Sequence, residues 1–345
     1  MNTIPLTFSE NLPSYTAVGG TERKSSTGLS AVILNRGGRY PRLEFLEDME
    51  KAGFDYVLSM ESSSPRYDLE DLTRRFPFVR FILLKEAVSP GEEINLAAAE
   101  LSSPLFFVMR NDMKILRGGT AERMTERLVS GVENSEAESL KPYKRLCTVP
   151  LIQDAHAEIL PTLIAPVLLP GSAIRTIPSM PDKEAMPSLY PFDGIGIYDS
   201  ERFIRLGGFD SSIKSFYWQL MDFGFRSSLW GEEIISTQQI KLTYETELPQ
   251  EDSTVNISCL KFILKNLAPV FRGDYAYIPF SQFPDYLKRR GDFREALKEF
   301  RLIRNWVKLN RYRFTTDART IAERFINYRE DNSAPKDHSL TRENP

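Results

Sequence analysis

The chain is short of the residues that build metal and disulfide sites. Its 345 residues include two cysteines and two histidines. Cys147 and Cys259 stand far apart with no ligand-type spacing. That argues against a disulfide framework and a structural zinc, and a reducing compartment is expected. His156 and His338 leave no His-rich site. Long apolar runs are missing as well: no stretch approaches the roughly 20 residues that cross a bilayer. The opening MNTIPLTFSENLPSYTAVGGTERKSSTG lacks a basic start followed by an apolar core, so it does not read as a signal peptide. There is no excess of one charge either. The 44 Lys and Arg against 47 Asp and Glu leave a net of -3. A chain basic throughout is thereby excluded, while a local basic region is still allowed. These absences together predict a cytoplasmic protein.

What is present is a periodic α/β pattern. Hydrophobic residues at 41% and charged ones at 26% suit a soluble globular chain long enough for one large domain with an appendage. After a polar leader (1–28), read as loose or as an extension covering a sheet edge, apolar β-type runs alternate with helical spacing. Strands are predicted at 29–35, 54–60, 79–85 and 105–109, and helices at 42–53, 68–77 and 91–103. That alternation, with short loops, implies a mostly parallel sheet with helices on both faces. The proline-rich middle, 120–190, is hard to assign beyond a helix near 120–133. A helix at 217–231 and a strand at 239–245 follow. The expected organisation is a leader (1–28), an α/β domain (29–248), a helical C-terminal region (249–330) and a disordered tail (331–345) that is low in apolar residues.

One stretch carries the functional question. In SSPLFFVMRNDMKIL the buried run 105–109 breaks into Arg110-Asn111-Asp112. In open parallel sheets ligands bind at the carboxyl ends of strands, where this triplet falls.

Four stretches, in order and at credible spacing, together resemble the family 2 glycosyltransferases of the GT-A fold. VILNRGGRYPRLEFLEDM resembles the family's opening strand, Asn-Arg turn and first helix. YVLSMESSS resembles its second strand, which ends in acids. GEEINLAAAELSSPLFFVMRND resembles the Gly-x-x-x-Asn helix and the strand bearing the metal-binding acidic triplet. FDGIGIYDSERFIRLGGFDSSIKSFYWQLMDFGFRSSLWGEEI resembles the acceptor-side segment. The resemblance covers about 30–247. It implies sugar transfer from a nucleotide-diphosphate sugar to a glycan or lipid-linked acceptor in surface polysaccharide synthesis.

The resemblance also implies a site. Asn35, Arg36, Glu61, Asn95, Arg110, Asn111 and Arg226 would meet the nucleotide sugar, Asp112 would hold Mn²⁺ or Mg²⁺, and Asp222 would serve as catalytic base. A hard cation on a strand-end carboxylate can neutralise the departing diphosphate. The departures bear on activity. Arg110 replaces the first acid of the triplet, leaving it either to grip the diphosphate in a two-pronged contact or to stay solvated. Gln219 and Leu220 stand where the family's acid and presumed base belong. Asp222, Asp210 or Asp193 could take over, or Asp222 could simply pair with Arg226 at i,i+4. An inactive protein that binds nucleotide sugar or acts as a scaffold is therefore the alternative.

The C-terminal region is locally basic. Between 285 and 329 there are 13 Lys and Arg against 6 Asp and Glu. Phe293, Leu297, Phe300 and Ile303 follow helical spacing. Two readings stay open: a basic amphipathic helix on the inner membrane face, or helices packed on the α/β domain with a solvated basic side. Nucleic-acid binding is not expected, because the aromatics recur at core spacing.

Overall fold

A computed structural model of the chain describes residues 12–35, 43–61, 69–117, 119–133, 145–169, 173–248 and 250–333. In chain order the elements begin with β1 (Tyr15–Gly19), β2 (Leu29–Leu34), α1 (Leu43–Ala52), β3 (Val57–Glu61), α2 (Leu69–Arg75) and β4 (Val79–Leu84). Next come α3 (Pro90–Glu100), β5 (Leu105–Arg110), β6 (Met113–Arg117), α4 (Ala121–Glu133), β7 (Arg145–Gln153), β8 (Leu163–Leu169) and β9 (Ala173–Ser179). Then follow β10 (Gly196–Asp199), α5 (Ser200–Leu206), α6 (Phe216–Leu229) and β11 (Glu233–Tyr244). The C-terminal part holds α7 (Ile257–Phe262), β12 (Val270–Arg272), β13 (Tyr275–Tyr277), α8 (Phe283–Arg290), α9 (Phe293–Leu309) and α10 (Ala318–Ser333).

Local chemistry sets several boundaries. Ser89 and Glu92 form a reciprocal capping box that starts α3, with Pro90 in its first turn. Asp199 caps α5, and Gly207 ends it at φ +91°, a conformation that costs glycine nothing. The expected first-helix stop, Gly53, sits at φ +72°.

Nine strands form one sheet in the order β1-β4-β3-β2-β5-β10-β7-β11-β6. Strands β2, β3, β4, β5, β7 and β11 run one way, whereas β1, β10 and β6 run against their neighbours. The fold is thus α/β with a mostly parallel sheet, helices on both faces and a C-terminal helical extension. Alternation along β2 divides the core. Val32 and Leu34 join the cluster that includes α3, α6 and the C-terminal helices, while Ala31 and Ile33 face α1 and α4. Phe300, Val307 and Ile321, which lie beyond the expected boundary at 248, share the first cluster with the sheet.

Of the two readings of the leader, the edge-covering one matches the structure: it contributes β1, an antiparallel edge strand on β4. Other parts were not read from the sequence. The run RLCTVPLIQ is the buried central strand β7. Its Pro150 cannot donate to a ladder, but β11 shifts register between Thr237 and Lys241 at that point. The proline-rich segment forms a separate hairpin, β8 with β9. The expected strand 239–245 is the end of a longer β11. α10 reaches Ser333, and the remainder of the expected tail lies outside the described residues.

Candidate functional site at the carboxyl edge of the sheet

The parallel register brings three strand ends to one level. Leu34 pairs with Met60 on one side and with Arg110 on the other. The next residues therefore emerge together: Asn35 after β2, Glu61 at the end of β3, and Asn111 and Asp112 after β5. Asn35 Nδ2 donates to the Met60 carbonyl at 2.8 Å, tying two strand ends together. Its Oδ1 is buried with no hydrogen-bond partner among the described residues. Glu61 is almost fully buried and accepts from Ser59 Oγ at 2.6 Å. The Asn111 amide donates to the Leu34 carbonyl at 3.2 Å. Thr246 Oγ1 donates to Asp112 Oδ2 at 2.5 Å, and the Glu245 amide to the Asp112 carbonyl at 2.8 Å, so the chain leaving β11 closes this corner. Arg36 lies outside the described residues.

Arg110 is held inside the protein by an acid. It is 4% exposed, and its guanidinium makes a two-pronged contact with the Asp193 carboxylate at 2.6 and 3.1 Å. Its face also lies over the Phe216 ring, 5.7 Å from the centroid. It is therefore not solvated, and its guanidinium is engaged by Asp193. Asp193 reaches it from a turn in which it adopts φ +53°, and Tyr244 Oη donates to the same carboxylate at 3.0 Å. Burial opposes the arginine's charge, but Asp193 more than compensates and holds its pKa above the ordinary value. The pair is close to neutral as a unit, so Arg110 repels a cation at Asp112 far less than a lone arginine would.

A carboxyl that the sequence reading passed over belongs to this edge. Glu93, in the first turn of α3, is pushed by burial up to about 7; Arg110 opposes that rise and Glu61 adds to it. In the sequence it stands inside GEEIN, where only the Gly-x-x-x-Asn pattern drew a site residue, Asn95.

Three of the expected site residues are placed elsewhere. Asn95 makes a reciprocal pair with the Phe209 backbone, its Nδ2 to the carbonyl at 2.7 Å and its Oδ1 from the amide at 2.8 Å, which fastens α3 to the Gly207–Asp210 turn. Asp222 is fully buried within a charged network. Arg226 binds it at 2.7 Å, Lys265 Nζ lies 3.0 Å away, and Asn266 Nδ2 donates at 2.8 Å. Arg226 also donates to the Leu206 and Gly208 carbonyls, both at 2.7 Å. Lys265 reaches Asp210 at 2.5 Å and lies 4.3 Å from the centre of the Trp306 ring. Burial would raise the Asp210 pKa, but Lys265 holds it far below the usual carboxylate range. Gln219 and Leu220 are buried beside this network. No carboxylate of α6 is exposed to take a proton, and the i,i+4 pairing of Asp222 with Arg226 is part of a lock between α6 and the C-terminal region.

The donor set limits how a divalent ion could be held. Among the described residues no group of three or more His, Cys, Asp or Glu converges to hold one. The strand ends offer the Asp112 carboxylate and, on the neighbouring strand, that of Glu61. That fits a hard cation taking one or two carboxylates from the protein and its other ligands from the donor's phosphate oxygens and water, as Mg²⁺ commonly does. It does not fit a cage built by the protein alone. When bound, such an ion would neutralise charge on the leaving diphosphate.

No family model matches the chain, and no curated protein matches it. Solved structures do resemble it. One is GalNAc-T7 with UDP, GalNAc and Mn²⁺, at 12% identity and a TM-score of 0.47, covering 89% of this chain and 58% of that one. Another is S. aureus TarS 1–349 in complex with UDP-GlcNAc, at 12% identity and 0.44, covering 68% and 65%. A third, S. aureus TarS, has 13% identity and 0.45, covering 86% and 55%. The chain thus spans little more than half the length of the first of these. At such identities and TM-scores the likenesses carry no donor, acceptor or chemistry over to it.

Proposed function

We propose that the chain binds a nucleotide-diphosphate sugar at the carboxyl edge of its sheet and acts as a glycosyltransferase toward a glycan or lipid-linked acceptor. The observation that carries this is the meeting of Asn35, Glu61, Asn111 and Asp112 at one level on three adjacent parallel strands. Asn35, whose buried oxygen has no partner among the described residues, and Glu61 offer hydrogen-bond acceptors for a base or ribose. Asp112 stands where a diphosphate and its cation would lie. Arg110 acts indirectly, holding Asp193 at the back of the site. In a transfer reaction Glu93, raised to about 7, is the carboxyl suited to take up the acceptor hydroxyl's proton. The glycan or lipid-linked acceptor, the surface polysaccharide pathway and a cytoplasmic location belong to the same proposal; the four resembling stretches support the acceptor and the pathway, and the location rests on the composition.

A second reading, nucleotide-sugar binding without transfer, is favoured by one observation: α6 presents buried Gln219 and Leu220 and a fully paired Asp222 in place of an exposed base. Turnover separates the two. A panel of nucleotide sugars with Mg²⁺ or Mn²⁺ should give donor hydrolysis or transfer that Glu93→Gln lowers by about 100-fold or more, with Asp222→Asn acting chiefly on stability. Donor binding with no turnover would establish the second reading. Neither binding nor turnover across the panel would overturn both.

A further inference from the structure

The C-terminal helices pack on the α/β domain and still leave one face uncovered. α9 buries Ala296, Phe300 and Val307. At 3.6 residues per turn, Arg294, Lys298, Arg301, Leu302, Asn305, Lys308 and Leu309 fall within about a third of its circumference, on the opposite side. All seven are exposed. Leu302 and Leu309, two turns apart, are 61% and 66% exposed. None of Arg294, Lys298, Arg301 and Lys308 forms an ion pair among the described residues. By contrast, inward-turned Arg290 binds Glu299 at 3.0 Å and Arg304 donates to the Ile278 carbonyl at 3.0 Å. Glu295 is the one acid of α9 bordering this face, near the helix start.

The face continues past the end of the helix. Tyr312 is 62% exposed. Its ring lies 6.2 Å from Tyr275 of the β12–β13 hairpin, and Arg311 spans both rings at 4.7 and 5.3 Å. The Ala276 amide donates to the Arg311 carbonyl at 3.1 Å, which fixes the hairpin against the helix end. Val270, Phe271 and Arg272 of that hairpin are exposed.

We propose that this face, formed by α9 from Arg294 to Leu309 with Tyr312 and the β12–β13 hairpin, is a docking surface for an anionic lipid bilayer. Charge complementarity selects the partner. Four cations without an ion pair among the described residues sit on one helix side of a chain whose net charge is -3, and each basic residue near an anionic leaflet multiplies partitioning roughly fivefold. The two leucines distinguish lipid from other polyanions, since they gain by entering the acyl boundary and gain nothing on a phosphate backbone. Tyr312 and Tyr275 supply rings of the kind that settle at the headgroup level. None of its residues belongs to the sheet edge, so this inference stands or falls independently of the nucleotide-sugar reading.

The test is flotation of the full chain with vesicles of phosphatidylcholine alone, or with a third of the lipid replaced by phosphatidylglycerol, at low and high salt. Binding to the anionic vesicles should exceed that to neutral ones at least tenfold and weaken in about 0.5 M salt. Lys298→Glu/Arg301→Glu/Lys308→Glu should lose at least tenfold, and Leu302→Asp/Leu309→Asp severalfold, with melting temperatures unchanged because every altered side chain is exposed. Equal binding to neutral vesicles, or no binding to anionic ones, would overturn the proposal. So would charge reversal without effect. Loss on charge reversal with full binding by the leucine variant would point to a nucleic acid or another soluble polyanion and overturn it as well.

Discussion

Lys265→Met tests the most heavily buried electrostatic feature of the fold. Lys265 is almost fully buried between two carboxylates, 2.5 Å from Asp210 and 3.0 Å from Asp222, with the Trp306 ring against it. Methionine keeps the apolar stem and removes the charge. Asp222 would retain Arg226 and Asn266, whereas Asp210 would lose its ion pair and keep, among the described residues, the Ser212 amide at 2.9 Å and the Arg226 charge. Removing one partner of a buried pair typically costs about 3–5 kcal/mol, because the other charge is left uncompensated. At about 2 °C per kcal/mol, the low end for large domains, the melting temperature should fall by roughly 6–10 °C at pH 7.5. The sign with pH follows from Asp210. Its folded pKa is depressed, so its contribution is fully present above the ordinary carboxylate value of about 4 and is lost as pH falls below it. The gap between wild type and variant should therefore narrow in acid. Scanning fluorimetry or urea melts across pH 3–8 read both effects. A fall of less than 2 °C at pH 7.5, or a gap that widens below pH 4, would refute the reasoning.

Other expectations can be checked with the same protein. Glu93 has a folded pKa raised from 4.5 to about 7, so the folded state loses stability as pH rises through that window; Glu93→Gln should gain stability over wild type at pH 8 and lose that advantage near pH 4.5 in paired melts. A Cβ at Gly224 would stand 2.3 Å from the Leu189 carbonyl oxygen, so Gly224→Ala should melt several degrees lower or fail to express as soluble protein. With Asp112 as the protein's ligand, Mn²⁺ alone should bind weakly and a nucleoside diphosphate should tighten it more than tenfold by electron paramagnetic resonance titration, an enhancement that Asp112→Asn should abolish.

The strand ends were legible because parallel strands read as continuous apolar runs. Runs at 29–34 and 105–110 have no other use for their β-branched and aromatic residues, and the polar residues after them mark the ligand edge. Contacts of long sequence separation were not legible. Nothing near Arg110 announces that its partner is Asp193, 83 residues later and in a positive-φ turn. The i,i+4 pair of Asp222 and Arg226 was visible, but Lys265 arrives from the C-terminal region, which the sequence presents only as helical and basic. β7 was obscured by Pro150, which is acceptable where its neighbour shifts register. Proline spacing likewise hid the β8–β9 hairpin.

The central claim is that a nucleotide-diphosphate sugar occupies the carboxyl edge between β2, β3 and β5. Calorimetric titration of wild type, Glu61→Gln and Asp112→Asn with a panel of nucleotide sugars and Mg²⁺ tests it directly. The account predicts saturable binding of at least one donor, weakened tenfold or more by each substitution while the melting temperatures of the unliganded proteins stay close to wild type. Donor binding that neither substitution changes would contradict it.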